Sequence, residues 1–371
     1  MGIFYQNFYS NGIVMKRKRR MLILVEKLLG DKHAKTAYGV IRYVPEQVVA
    51  VVDSRHKGKT VGDVLGYGGD IPVVGSIKEG LTYKPDSLLI GLAIMGGVLP
   101  KPWKKMVVEA IRLKLDIING LHTFISTDHE LQSEAKRHKT ELIDLRMPPP
   151  IQRCSEGRPL HNNAKVILAV GTDGSIGKMS TMLEVHKEFK KVQPNSTCIA
   201  TGQTGMLIMG NGCAIDAIKS DFVGGVMEEL LLKESKRYKY LFVEGQGSII
   251  HQGFSAVTLG LMHGTLPDAM IMCHRLGYEQ NELGFKIPPL DELICLHEQL
   301  VGYFKKTKIV GISMITVGYP DEKARNLMNQ MEKEFNLPVE DSVRYGGKKL
   351  ANVLLSYFKL PTLKNEKNNL T

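Results

Sequence analysis

Apolar residues in this chain come in short unbroken runs, and longer stretches with helical spacing separate them. Val48-Val49-Ala50-Val51-Val52 shows no alternation, the pattern of a strand covered on both faces. Ile71-Pro72-Val73-Val74, Ser87-Leu88-Leu89-Ile90-Gly91, Asp116-Ile117-Ile118 and Glu141–Leu145 read as further strands. Between them, 102–114, with Pro102 near its start, and the polar stretch 127–138 read as helices. Strands separated by helices imply parallel pairing in a doubly wound sheet. Pro148-Pro149-Pro150 then stiffens the chain into a linker. The logic repeats beyond it, with strands expected at 165–170, 196–200, 240–244, 269–273 and 308–317. Helices are expected near 178–190, 221–236, 255–263, 291–304, 321–334 and 347–358. The predicted class is α/β, with two Rossmann-like doubly wound domains. The predicted layout is a basic N-terminal extension at 1–20, a Rossmann-like domain at 21–147 and a Pro-containing linker at 148–163. A P-loop domain at 164–360 and a tail at 361–371 complete it.

The second domain opens on the most informative stretch, KVILAVGTDGSIGKMST at 165–181. Strand, glycine-rich turn, lysine and helix in that order build a phosphate cradle. Backbone N–H groups and the helix N-terminus face an anion, and Lys178 adds a full charge. The cofactor-binding candidates are Gly171, Thr172, Asp173, Gly174, Ser175, Ile176, Gly177, Lys178, Met179 and Ser180. Five residues stand between Gly171 and Gly177, one more than in the common nucleotide loop, and Met179 takes the usual Ser/Thr position. A thioether is a poor ligand for a hard cation, so the loop is expected to hold phosphate well and magnesium poorly. No metal is expected.

Composition narrows the class further. The apolar fraction is 43%, and no apolar run approaches membrane-spanning length. The formal charge of +11 is locally concentrated in Lys16-Arg17-Lys18-Arg19-Arg20, which reads as a solvated, disordered arm. Met15 and Met21 flank it, which fits an over-long start. No nucleic-acid or membrane partner is expected. Five cysteines are scattered and odd in number. They read as small core residues of a cytoplasmic, reducing compartment. Paired sheets with apolar helices suggest a homo-oligomer.

In open α/β sheets, ligands bind at the C-terminal ends of strands, and that rule selects the remaining candidates. Glu244, in Val243-Glu244-Gly245-Gln246-Gly247, faces the phosphate loop, and His251 lies just beyond. Thr201-Gly202-Gln203-Thr204-Gly205 reads as a second binding turn. His274 and Arg275 end another strand, where an arginine clamps carboxylates or phosphates bidentately. In the first domain, Met95-Gly96-Gly97-Val98 offers backbone donors, His122 sits at a strand end, and Arg42 lies upstream.

With these residues in hand, the chain resembles a family long catalogued as a domain of unknown function and associated with D-glutamate N-acetyltransferase activity. The motifs are GTDGSIGKMS (171–180), TGQTG (201–205), DFVGG (221–225), VEGQGSIIH (243–251), TLGLMHGTLPDAMIMCH (258–274) and KTAYGVIRY (35–43). The resemblance runs from about residue 21 to about 358 and implies a P-loop NTPase-like second fold. It implies acetyl-coenzyme A as donor and the α-amine of D-glutamate as acceptor. That family usually carries Thr at position 180 and often Cys at 174. Ser180 keeps the hydroxyl, while Gly174 removes any thiol nucleophile there. The ammonium of the acceptor must lose a proton before attack, so a general base is needed. The candidates are Glu244 and His251, then Asp173 and His122. Arg42 and Arg275 are candidates for the substrate carboxylates, with Thr201, Gln203, Thr204, Gln246 and His274 as further substrate contacts. GTDGSIGK and VEGQG also resemble dethiobiotin synthetase, an ATP- and magnesium-dependent ligase. A nucleotide- or coenzyme A-binding regulatory protein is the third reading.

Overall fold

The computed structural model describes residues 18–94, 96–150 and 153–363. Most of the expected N-terminal extension, Met95 of the expected donor turn and residues 364–371 of the expected tail lie outside them. The chain forms two compact units. One comprises Met1–Pro150 together with Gly202–Ala217, the other Ile151–Thr201 together with Ile218–Thr371. The span 164–360, expected as one domain, therefore contains a segment that belongs with the first unit.

The first unit holds a six-stranded parallel sheet in the order β3-β2-β1-β4-β5-β6. Its strands are β1 (Met21–Leu24), β2 (Val48–Val52), β3 (Val73–Val74), β4 (Ser87–Ile90), β5 (Asp116–Asn119) and β6 (Leu142–Asp144). Central β1 and the helix Lys35–Tyr43 are additions to the expected set. All four residues of β1 are fully buried. Successive side chains of a strand point to opposite faces. Accordingly Leu22 and Leu24 enter one core with Trp103 and Val107, while Met21 and Ile23 enter the other with Ala37 and Ile41. Residues 18–20, which fall within the expected basic arm, are described together with this unit. Arg19 is buried and its Nη1 donates to Asp116 at 2.5 Å, while Arg20 Nε donates to the Lys84 carbonyl at 2.9 Å.

The second unit holds another six-stranded parallel sheet, in the order β12-β11-β10-β7-β9-β8. Its strands are β7 (Lys165–Gly171), β8 (Ser196–Ile199), β9 (Tyr240–Val243), β10 (Ala269–Arg275), β11 (Ile309–Ile315) and β12 (Val339–Glu340). The helices Lys178–Phe189, Val223–Ser235, Ser255–Thr265, Leu290–Gly302, Asp321–Phe335 and Lys348–Tyr357 fall where spacing placed them. Val166 to Val170 are each at most 1% exposed, as the unbroken apolar run required. Phe189 closes the first helix edge-on against Phe242, with ring centroids 5.0 Å apart. β7 lies between β10 and β9, so three strand ends of this sheet deliver the phosphate loop, Glu244 and His274 side by side. Among the described residues no helix is long and apolar enough to cross a membrane.

Candidate functional site

Steric constraint shapes the phosphate loop. A Cβ on Gly171 would stand 2.7 Å from Ile176 Cδ1 and 2.9 Å from the Cys273 carbonyl oxygen. Ser175 and Gly177 take the left-handed conformation, at φ 52° and 90°, and Gly177 caps the helix Lys178–Phe189. Lys178, only 6% exposed, donates from Nζ to the Asp173 carbonyl at 2.5 Å. Burial pushes its ammonium down to about 8, against the opposing pull of Asp173, Glu244 and Glu282. Met179 and Ser180 are half-buried on the same helix. The neighbouring Thr181 hydroxyl is taken up by Ser313, at 2.7 Å.

Glu244 sits at the end of β9, 4% exposed. Its Oε2 accepts the Thr201 N–H at 2.9 Å, and Thr201 Oγ1 donates back to the Glu244 carbonyl at 2.9 Å. Gln246 Nε2 reaches Glu244 Oε1 at 3.4 Å. Gly245 passes so close to β7 that a Cβ there would fall 1.9 Å from the Ala169 carbonyl oxygen. Above the loop, Asp173 Oδ1 accepts the Gly174 N–H at 2.6 Å, and Oδ2 accepts the Glu282 N–H at 3.1 Å. His251 Nε2 stands 3.8 Å from Asp173 Oδ1 and 3.5 Å from Glu282 Oε1. One ligand atom from each of Asp173, His251 and Glu282 lies within 4.8 Å of the others.

Beside the loop, a cavity of about 330 Å³ is lined by Thr172, His274, Tyr278, Glu279, Gln280, Lys286, Ile287, Pro288 and Leu290. His274 Nδ1 and Thr172 Oγ1 are 2.9 Å apart, and burial pushes the His274 imidazole down to about 4. His274 is therefore neutral at physiological pH. Arg275 stacks on Tyr278, its guanidinium carbon 4.4 Å from the ring centroid.

The other candidates belong to the first unit. The helix Gln203–Met209 packs on the helix Lys35–Tyr43, and Leu207 joins the core of Ile41, Ile118 and Leu145. TGQTG, read as one turn, thus leaves Thr201 with Glu244 and carries Gln203 and Thr204 to Thr36, at 3.3 and 3.4 Å. Arg146, 8% exposed, organises this cluster. It donates to the Gly120 carbonyl at 2.7 Å, to Gln203 Oε1 at 2.7 Å and to Asp216. His122 Nε2 lies 3.9 Å from Asp216, and partial burial together with the Arg146 charge holds its pKa below the ordinary value. Arg42 stands exposed in the last turn of the helix Lys35–Tyr43.

Two participants escape the sequence reading. Arg146 lies at the end of the expected first domain, between the 141–145 strand and the triple proline, where no motif marks it. Glu282 lies 109 residues from Asp173, in a polar segment just past β10.

Comparison with known proteins now adds kinship to this geometry. Residues 54–148 match a family model described as a DUF1611 Rossmann-like N-terminal domain, and residues 153–351 one described as a DUF1611 P-loop domain. A protein named D-glutamate N-acetyltransferase from a Pseudoalteromonas species is 34% identical over 277 residues, 73% of this chain and 82% of its own. Another of that name, from Tritonibacter scottomollicae, is 32% identical over 324 residues, 86% of this chain and 94% of its own. The crystal structure of a DUF1611 family protein from Anabaena variabilis superposes with a TM-score of 0.86 at 32% identity, covering 91% of this chain and 99% of that one. The chain therefore belongs to the DUF1611 family, joining a Rossmann-like domain to a P-loop domain, together with relatives that bear the name D-glutamate N-acetyltransferase.

Proposed function

We propose that the protein is an N-acetyltransferase that moves an acetyl group from acetyl-CoA to the α-amine of D-glutamate, a step of D-amino acid catabolism. The observation that carries this reading is kinship of 32–34% across most of the chain with two proteins named for that activity. The chemistry of the loop supports it. A cradle with a buried lysine and a methionine at the usual magnesium-ligand position suits phosphates that are held and not cleaved. Lys178 and the loop amides would hold phosphates of the donor, which on binding supplies the activated acetyl thioester. The chain's own contribution is to bind and orient both partners and to take a proton from the acceptor ammonium. The five cysteines are unpaired, which supports a reducing, cytoplasmic setting.

The test is free-thiol release from acetyl-CoA with D-glutamate, L-glutamate and D-aspartate as acceptors, without ATP or added metal. Release that depends on D-glutamate is expected. Silence with every acceptor, accompanied by tight magnesium-dependent ATP binding, would replace the transferase with a ligase of the dethiobiotin synthetase type.

A further inference from the structure

Five carboxylate or imidazole groups surround the phosphate loop, and burial together with existing hydrogen bonds ranks them as proton acceptors; His274, one of the five, is engaged with Thr172 Oγ1 at 2.9 Å. Glu244 is buried, and its Oε2 already accepts the Thr201 N–H. Asp173 is 1% exposed, and each of its oxygens accepts a backbone N–H. His251 is also 1% exposed, and it stacks on Phe254 with centroids 4.4 Å apart at 19°. Its Nδ1 accepts the Gly253 N–H at 3.1 Å. A neutral imidazole has one lone pair for hydrogen bonding, and here that pair is on Nδ1. The ring proton is thus on Nε2, which makes no hydrogen bond and faces Glu282 Oε1 at 3.5 Å and Asp173 Oδ1 at 3.8 Å.

That tautomer has two consequences. Metal-bound histidines donate from their second nitrogen, whereas this one accepts there, so the three residues do not fit a metal ion. For the same reason His251 has no lone pair on Nε2 to receive a proton.

Glu282 remains, and its side chain is 40% exposed. It sits in a turn closed by the antiparallel bridge between Gln280 and Lys286. Asn281 Oδ1 accepts the Leu283 and Phe285 N–H groups, each at 3.0 Å, and Asp173 holds the Glu282 N–H. The carboxylate is thereby presented at the loop mouth, 3.8 Å from where a Gly174 Cβ would stand.

We propose that Glu282 is the catalytic base for a primary-amine acceptor, with Asp173 and His251 as the residues that position it. The proposal rests on the acetyl-transfer reading. The Glu282 carboxylate takes one proton from the substrate ammonium. The freed amine lone pair forms the N–C bond at the thioester carbonyl. The C–S bond breaks, the thiolate leaves with the electron pair and takes the second proton from nitrogen, and Glu282 returns its own proton to water. The charged or titratable groups facing Glu282 are Asp173 and Lys178 of the loop and His251.

The experiment compares wild type, E282Q, E282D and H251Q in D-glutamate-dependent thiol release across pH, with zinc and manganese titrations of the same proteins. In E282Q, kcat/KM should fall ~10²–10⁴-fold and lose its acid limb, while the KM for acetyl-CoA stays near wild type and shows the fold intact. E282D should keep the limb at a reduced rate. H251Q should lower kcat while the KM for acetyl-CoA and the limb are kept, because the imidazole that positions the carboxylate is gone. Wild-type rates and an unchanged limb in E282Q would overturn the assignment. So would stoichiometric zinc or manganese binding abolished in H251Q, since it would place a free lone pair on Nε2. A wild type inactive with every acceptor would instead remove the acetyl-transfer reading and the base together.

Discussion

Replacing Lys178 with methionine separates what the loop lysine does for a ligand from what it costs the fold. The side chain is 6% exposed, and burial drives its pKa from 10.5 down to about 8. That displacement corresponds to about 3 kcal/mol. Between about pH 8 and pH 10.5 the unfolded chain binds a proton that the folded chain has released, so stability rises with pH through that window. Below about pH 8 both states carry the charge, and the folded protein bears the full penalty of burying it. Methionine has similar length and no charge. K178M should therefore be more stable than wild type near neutral pH by up to ~3 kcal/mol, and the advantage should vanish above the unfolded pKa. Urea melts of both proteins from about pH 7 to about pH 10.5 give the difference directly, because all other titrations cancel. The same substitution should abolish binding of phosphate-bearing ligands, because the only full positive charge of the loop is gone. Parallel stability–pH curves for the two proteins would refute the claim that the buried ammonium is desolvated.

Glycine positions of the loop region should differ sharply in tolerance. Gly174→Cys should leave the melting temperature within a few degrees, since a Cβ there meets only Glu282 Oε1 at 3.8 Å, whereas Gly245→Ala should cost ~2 kcal/mol or more through its 1.9 Å clash with Ala169. Arg146→Ala should cost ~3–5 kcal/mol by leaving Asp216 and Gln203 without their partner. Hydrogen exchange should then report earlier opening of 202–217 than of β1–β6. Glu228, buried beneath Ser155 and Arg158, loses by burial but gains more from the Ser155 hydroxyl, two backbone N–H groups and Arg158, and its pKa falls below the usual 4.5. Its stabilisation is present above that value and lost as pH drops through the folded pKa, so acid unfolding of Glu228→Gln should be less pH-dependent than that of wild type.

Much of the second unit is legible in sequence because local signals there agree. Unbroken apolar runs mark β7, β9 and β10, helical spacing marks the segments between them, and the glycines of the loop fix its turn. The strand-end rule then draws attention to Glu244, His251 and His274. The first unit is less legible at its centre. Met21-Leu22-Ile23-Leu24 is four residues long, follows a run of basic residues, and carries no alternation to distinguish it from a short helix segment. Two glycines in TGQTG signal a turn, yet Met206 and Leu207 find an apolar surface that makes the segment a helix. Arg146 and Glu282 are invisible for another reason. What distinguishes them is the partner each meets, and those partners are remote in sequence.

The route of residues 202–217 bears on how this protein is taken apart. Each unit has its own sheet, so cutting at the triple proline looks natural. That cut would leave the first half without Leu207 in its core and with Arg146 deprived of Gln203 and Asp216. It would leave the second half carrying a helix whose apolar side belongs to a fold no longer present. Neither fragment would be a faithful miniature of the unit it is meant to represent. A working dissection would transplant 202–217 onto the first half and close the gap after Thr201 with a short designed turn.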